Sequence, residues 1–305
     1  MEALKIKLTP TQQRSIQKKA TTGNMDAYDF YLRGRYFFER GEANHALQMF
    51  EKAIELDPEY ALAWAGAADS HVWIDMWGRE TQENLEAADN FSRRALKLAP
   101  EMAEAHASRG YALSMNGQYA EAENNYRSAI DLNPQLFESY YYFGRSSFAQ
   151  RKYREAADMF AKAMVIRPDD VGAATMRSSA LASVGTTDEI LEATKHGLSV
   201  TKKYLALNPD DALAWSRGAL ELIIAGNVDQ GLEWAERATE LNLEICAYNV
   251  AIVFLLAGKI ERSMDILEKF CRFIDKDWLE NDPDWNTARD HPRFKAVLAS
   301  LSCAK

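Results

Sequence analysis

The side chains with the most chemistry to offer are spread too thinly along this sequence to act together. Three cysteines, Cys246, Cys271 and Cys303, form no closely spaced pair for a disulfide framework or a thiolate metal site, and are expected to be structural or inert thiols. The five histidines, His45, His71, His106, His196 and His291, include no pair four residues apart, the spacing by which a helix presents two metal ligands to one side. Each reads as a packed or solvated side chain. There is no Gly-rich phosphate loop, no GxSxG elbow and no HExxH motif. Among 45 Asp and Glu residues, choosing two as a general acid and base would be arbitrary, because that work needs convergent geometry and shifted pKa values. The expectation is a protein that is not an enzyme, without cofactor or metal.

Charge narrows the partners. The chain carries 36 Lys and Arg against 45 Asp and Glu, a formal charge of −9, with a pI near 5.2. Attraction to a phosphate backbone needs clustered positive charge, so no nucleic acid is expected as a direct ligand. The apolar run Ala251 to Ala257 is too short to span a bilayer, and MEALKIKLTP lacks the long apolar stretch of a signal peptide. No membrane association is expected, and the location expected is cytoplasmic. The sequon Asn90-Phe91-Ser92 lies within an expected helix and reads as accidental.

The elements that position side chains in this chain are repeats. Pro58, Pro100, Pro134 and Pro168 each close a similar phrase, and from Pro100 to Pro134 to Pro168 the spacing is 34 residues each time. A fixed period of that size marks a stacked-repeat architecture in which each unit is two amphipathic helices with too little apolar area to fold alone. Small residues recur where paired helices must approach: Gly34, Ala68, Gly110 and Gly144 in the first helices, Ala46, Ala88, Ala122 and Ala156 in the second. Phe50, Tyr126 and Phe160 are expected to fill the opposite holes.

This pattern resembles the tetratricopeptide repeat: a small residue at position eight, Ala at twenty, an aromatic at twenty-four, Ala at twenty-seven and Pro at thirty-two. The resemblance covers Ala27 to about Asp275, and Trp64 and Trp215 stand at the family's fourth-position tryptophan. It implies an all-α fold, a right-handed α-solenoid of helical hairpins. The organisation expected is an N-terminal extension over 1–26, a solenoid of about seven repeats over 27–275, and a capping segment over 276–305. Two repeats are stretched: 42 residues separate Pro58 from Pro100, and 41 separate Pro168 from Pro209. The inserts either lengthen helices or protrude, with Trp77-Gly78-Arg79 a candidate exposed aromatic. Thr9-Pro10 reads as the start of a helix through TQQRSIQKKA, and His291-Pro292 as the start of a last helix with Phe294, Val297, Leu298 and Leu301 on one stripe.

Certain phrases are more particular. LTPTQQRSIQKKA, AYDFYLRGRYFFERG, DPEYALAWAGAADSHV and NDPDWNTARDHPRFKAVL look like the repeat region of bacterial multidomain regulators, where it follows a class III adenylate cyclase, a winged-helix domain or a protein kinase. Only 26 residues precede the first repeat, so such an output domain is expected to be missing here, and the resemblance implies a sensing or docking role.

In the family, the first helices line a concave groove. Its groove positions fall here on Tyr28, Tyr31, Arg35 and Phe38 in the first repeat, Asp69 and Trp73 in the second, Tyr111 in the third, and Tyr141, Arg145 and Phe148 in the fourth. Aromatics and arginine are the types that dominate binding hot spots. The competing expectation is that a neighbouring helix or the N-terminal segment shields several of these tyrosines. The carboxylate clamp by which some family members grip acidic chaperone tails is absent, since Tyr31, Arg35, Gly66, Glu104 and Ser108 stand in place of its lysines, asparagines and arginine. The partner expected is another protein or peptide bound in the groove. The alternative is a ligand-sensing module of a bacterial signalling protein.

Overall fold

The computed structural model describes residues 22–76, 82–270 and 276–302. It is all-α, as the period implies, and is built from successive helical hairpins. The expected N-terminal helix, Trp77-Gly78-Arg79, Cys271 and Cys303 lie outside the described residues. Two compact units divide the chain, one of residues 1–74 and 81–132, the other of 75–80 and 133–305.

In the first unit, α1 (Met25–Glu39) pairs with α2 (Ala43–Leu56), and α3 (Ala61–Met76) with α4 (Gln82–Leu98). The hairpin α5 (Ala103–Met115) and α6 (Tyr119–Leu132) follows. Asn24 caps α1, its side-chain oxygen accepting from the amides of Asp26 at 3.0 Å and Ala27 at 3.1 Å. That satisfies donors the first turn would otherwise leave open. The Asn24 amide also donates to the Leu56 carbonyl at 2.9 Å, and the Thr22 hydroxyl donates to Asp57, so the start of α1 is tied to the end of α2.

The second unit continues with α7 (Phe137–Ala149) and α8 (Tyr153–Ile166), then α9 (Val171–Val184) and α10 (Thr187–Leu207). The 21 residues of α10 show that the second insert lengthens the second helix rather than protruding. The start of α10 is fixed by a reciprocal cap, Thr186 accepting from the Glu189 amide at 3.3 Å and Glu189 accepting from the Thr186 amide at 2.8 Å.

Next come α11 (Ala212–Ile224) and α12 (Val228–Leu256), followed by α13 (Ile260–Phe270) and the short α14 (Lys276–Asn281). A 3₁₀ turn (Pro283–Ala288) and α15 (Pro292–Ser302) close the chain. With 29 residues and a mean hydropathy of 1.4 in its most apolar stretch, α12 passes the length and composition test for a membrane span. Its backbone is nevertheless extended at Asn242 (φ −166°, ψ 91°). The residue divides α12 into the second helix of one hairpin and the first of the next, each shorter than the roughly 20 residues a span requires. Val250 to Leu255 are buried in the core that the last repeats form with Leu279, Trp285 and Phe294.

One packing rule joins the helices of the α1/α2, α5/α6 and α7/α8 hairpins. A Cβ built on Gly34 would come within 2.6 Å of the Phe50 ring, one on Gly110 within 2.7 Å of Tyr126, and one on Gly144 within 2.8 Å of Phe160. The alanines expected at the joints, Ala46, Ala88, Ala122 and Ala156, are all 0% exposed. Side chains larger than these would overpack a joint already at interior density.

The tail expected as a polar cap also supplies core. Trp285 is fully buried and stacks on Phe294 at 5.4 Å between ring centroids, while Val297 and Leu301 are buried beside it and Leu298 is half-buried.

Candidate functional site

On α1, Tyr28, Tyr31, Arg35 and Phe38 follow one another at steps of three, four and three residues, which places them on one helical face. All four are half-buried. The Tyr31 ring leans on Phe50 at 5.8 Å and Tyr60 at 5.3 Å, and Phe38 meets Trp73 edge-on at 5.8 Å. Arg35 reaches Glu39 one turn on, at 3.3 Å. The Tyr60 hydroxyl beneath them is buried without a hydrogen-bond partner, and burial pushes its phenol well above the usual range. The structure therefore gathers four residues of the first repeat with Trp73 of the second. Asp69, 6% exposed, and Tyr111, 2% exposed, are interior side chains and not part of the accessible row.

The second unit treats the same positions differently. Tyr141 is 6% exposed, stacked on Phe137 at 5.3 Å and edge-on to Phe160 at 5.8 Å. Phe148 is only 2% exposed: Trp278 of α14 stacks on it at 5.1 Å and an interplanar angle of 24°, and Tyr153 of α8 meets it edge-on at 5.3 Å. The Arg145 guanidinium lies over the same indole, 4.9 Å from its centroid. Shielding by a neighbouring helix was expected for several tyrosines, and Tyr141 is covered in that way by Phe160 of α8; Phe148 is covered in addition by the C-terminal segment, some 130 residues away.

Two further residues of this hairpin join the contact. Arg151 donates to the Asn281 side-chain oxygen at 2.7 Å and to the Glu280 carbonyl at 3.0 Å, and the Tyr153 hydroxyl donates to the Asn281 carbonyl at 2.8 Å. Sequence reasoning passed over both. A signal was present: Arg151 stands in the turn between first and second helix, where other repeats have Gly41, Gly117, Gly226 and Gly258, and it shares their left-handed backbone, with φ of 60° against 72° to 82°.

Elsewhere in this unit Glu221 of α11 is fully buried, and neither carboxylate oxygen has a hydrogen bond of normal geometry. Desolvation pushes its carboxyl well above the ordinary carboxylate range, opposed only in part by the Ser178 hydroxyl. Cys246 is buried, and burial pushes its thiol up to about 12, which keeps it a protonated, unreactive side chain.

Residues 103–136 and residues 30–60 each match a model of the tetratricopeptide repeat. These two segments are tetratricopeptide repeats. No curated protein matches it in sequence. Among solved structures, human IFIT1 with m7Gppp-AAAA is similar with a TM-score of 0.58 at 16% identity, covering 95% of this chain and 76% of that one. The type IV pilus biogenesis factor PilW is similar with a TM-score of 0.50 at 17% identity, covering 72% of this chain and 94% of that one. Identities this low speak to the fold, repeated all-α hairpins, and to nothing beyond it. The tetratricopeptide repeat is in general a protein-interaction scaffold.

Proposed function

We propose that this tetratricopeptide-repeat protein is a non-catalytic adaptor that binds a protein or peptide segment along the first helices of its N-terminal repeats. The observation that carries this reading is the half-buried row Tyr28, Tyr31, Arg35 and Phe38 with Trp73 beside it. Rings already held by packing lose little side-chain entropy on binding, and arginine adds a charge-assisted donor. A nucleotide ligand such as the m7Gppp-AAAA of the human IFIT1 structure is disfavoured by the net charge of −9.

The test is a peptide selected from a displayed library on the intact protein, then titrated against wild type, Tyr31→Ala, Trp73→Ala and the outward-face control Glu55→Ala. Glu55 is 63% exposed and, among the described residues, pairs with Lys52 on its own helix, so its loss should be silent. Replacing a true anchor should cost on the order of 2 kcal/mol in binding while the helical signal stays intact. Unchanged affinity in both aromatic variants, or loss in the control, overturns the reading.

A further inference from the structure

The face that the fourth repeat presents to α14 is built like a peptide site. Phe148 and Arg145 enclose an indole from α7, and Arg151 and Tyr153 donate to the end of a short helix from the turn and from α8. Three features separate this from incidental packing. Arg151 occupies a backbone conformation that glycine adopts freely and arginine seldom does, so its side chain is what the position supplies. Two of the three donated hydrogen bonds end on main-chain carbonyls, those of Glu280 and Asn281, at a helix end whose last carbonyls have no partner within the helix; the Glu280 carbonyl also accepts from Arg289. The third ends on the Asn281 side chain, three residues after Trp278, so the sequence-specific part of the recognition is an aromatic followed three places later by asparagine. A helix of six residues has almost no stability by itself, and its shape here is supplied by what it lies against.

We propose that this face of the fourth repeat is a peptide-recognition site that reads Trp-x-x-Asn at the C-terminal end of a short helix, that the chain's own Trp278–Asn281 fills it in cis, and that a partner segment of the same chemistry competes for it. The proposal rests on the reading of the protein as a peptide-binding scaffold, but it uses a different set of residues from the α1 row. Leu279, fully buried, anchors the cis segment to the C-terminal core. The cis copy therefore has the advantage of a high effective concentration, and a partner gains access most readily when Trp278 is removed.

The experiment uses the full chain and a fluorescein-labelled hexapeptide, Lys-Asp-Trp-Leu-Glu-Asn, amidated at its C-terminus and followed by anisotropy. Trp278→Ala should bind it saturably and at least tenfold more tightly than wild type. Adding Arg151→Gly or Arg145→Ala to that variant should reverse at least fivefold of the gain, and a peptide with Trp replaced by Ala should not bind. Adding Tyr31→Ala should leave the peptide's affinity unchanged, so failure here and failure of the α1 site are told apart. If Trp278→Ala does not fold, hydrogen exchange of the wild-type protein decides: millimolar peptide should raise exchange across 276–282 and leave 292–302 unchanged. No binding to a folded Trp278→Ala, equal binding of the Trp-less peptide, or no change in exchange shows that α14 is a strut and overturns the proposal.

Discussion

The hairpin α1/α2 and the hairpin α7/α8 are built on one template and end in different states. Both place a glycine of the first helix against an aromatic of the second, Gly34 on Phe50 and Gly144 on Phe160, and both set aromatics and an arginine at the groove positions. In the first hairpin those side chains are half-buried; in the second, Tyr141 and Phe148 are interior, and Arg145 faces an indole from the chain's own tail. Position within the repeat decides the direction in which a side chain points. What packs over it, within the hairpin as for Tyr141 or from a later segment as for Phe148, decides whether it remains available.

The largest test of the shared template is the aromatic under the glycine. Phe50→Ala and Phe160→Ala should each cost about 3–5 kcal/mol, because both rings are fully buried and the cavity left behind can collapse little against helix backbone. Urea denaturation of the two variants measures it; a loss below about 1 kcal/mol in one of them would mean that the two joints are not equivalent.

A second test is specific to the tightly filled unit. With its carboxyl pKa raised in the folded state, Glu221 is protonated there at pH values where the unfolded chain has already lost the proton. The stability tied to its neutral form is complete below the ordinary value of 4.5 and declines as pH rises from there toward the folded-state value. Thermal unfolding from pH 4 to pH 8 should therefore fall more steeply for wild type than for Glu221→Gln. Parallel curves for the two proteins would show that the carboxyl is ionised in the fold.

The smallest effects concern the turns. Gly117→Ala should cost about 1 kcal/mol, since its φ of 72° is strained for any residue with a Cβ. Arg151→Gly should stay within about 1 kcal/mol of wild type, because relief of the same strain is offset by hydrogen bonds lost to Glu280 and Asn281. Should Arg151→Gly prove more stabilising than that in chemical denaturation, those hydrogen bonds contribute nothing.

The repeat register was legible because it rests on contacts between residues close in sequence. Pro58, Pro134 and Pro168 stop helices, Ala122 and Ala156 sit in joints, and Phe50, Tyr126 and Phe160 fill holes, all within one 34-residue period. The second insert stayed open between helix and loop until the Thr186 cap and the continuous α10 settled it. The covering of Phe148 by Trp278 was not legible at all, because periodicity reports on neighbours and this pair is separated by nearly half the chain. Arg151 lay between: its departure from the glycine seen in sister turns was visible, but what it reaches was not. The break at Asn242 carries no proline or glycine, yet the sixth repeat phrase, which ends in Glu240-Leu241-Asn242, already closes where the backbone hands one hairpin over to the next.

Phe50 illustrates a property of heredity as much as of packing. Its ring lies within 2.6 Å of where a Cβ would be on Gly34 and also within 2.6 Å of where one would be on Gly66, so it belongs to two successive first helices at once. The module that a gene can copy is therefore offset from the module that packs. Cutting at Pro58 separates Phe50 from half of its socket, and removing one whole period does not restore it, because the residue equivalent to Gly66 is Ser108 in the third repeat and Tyr142 in the fourth. A designer wishing to transplant repeats from this chain has to carry Phe50 together with both Gly34 and Gly66, which puts the crossover inside a later helix and not at the proline that closes the phrase.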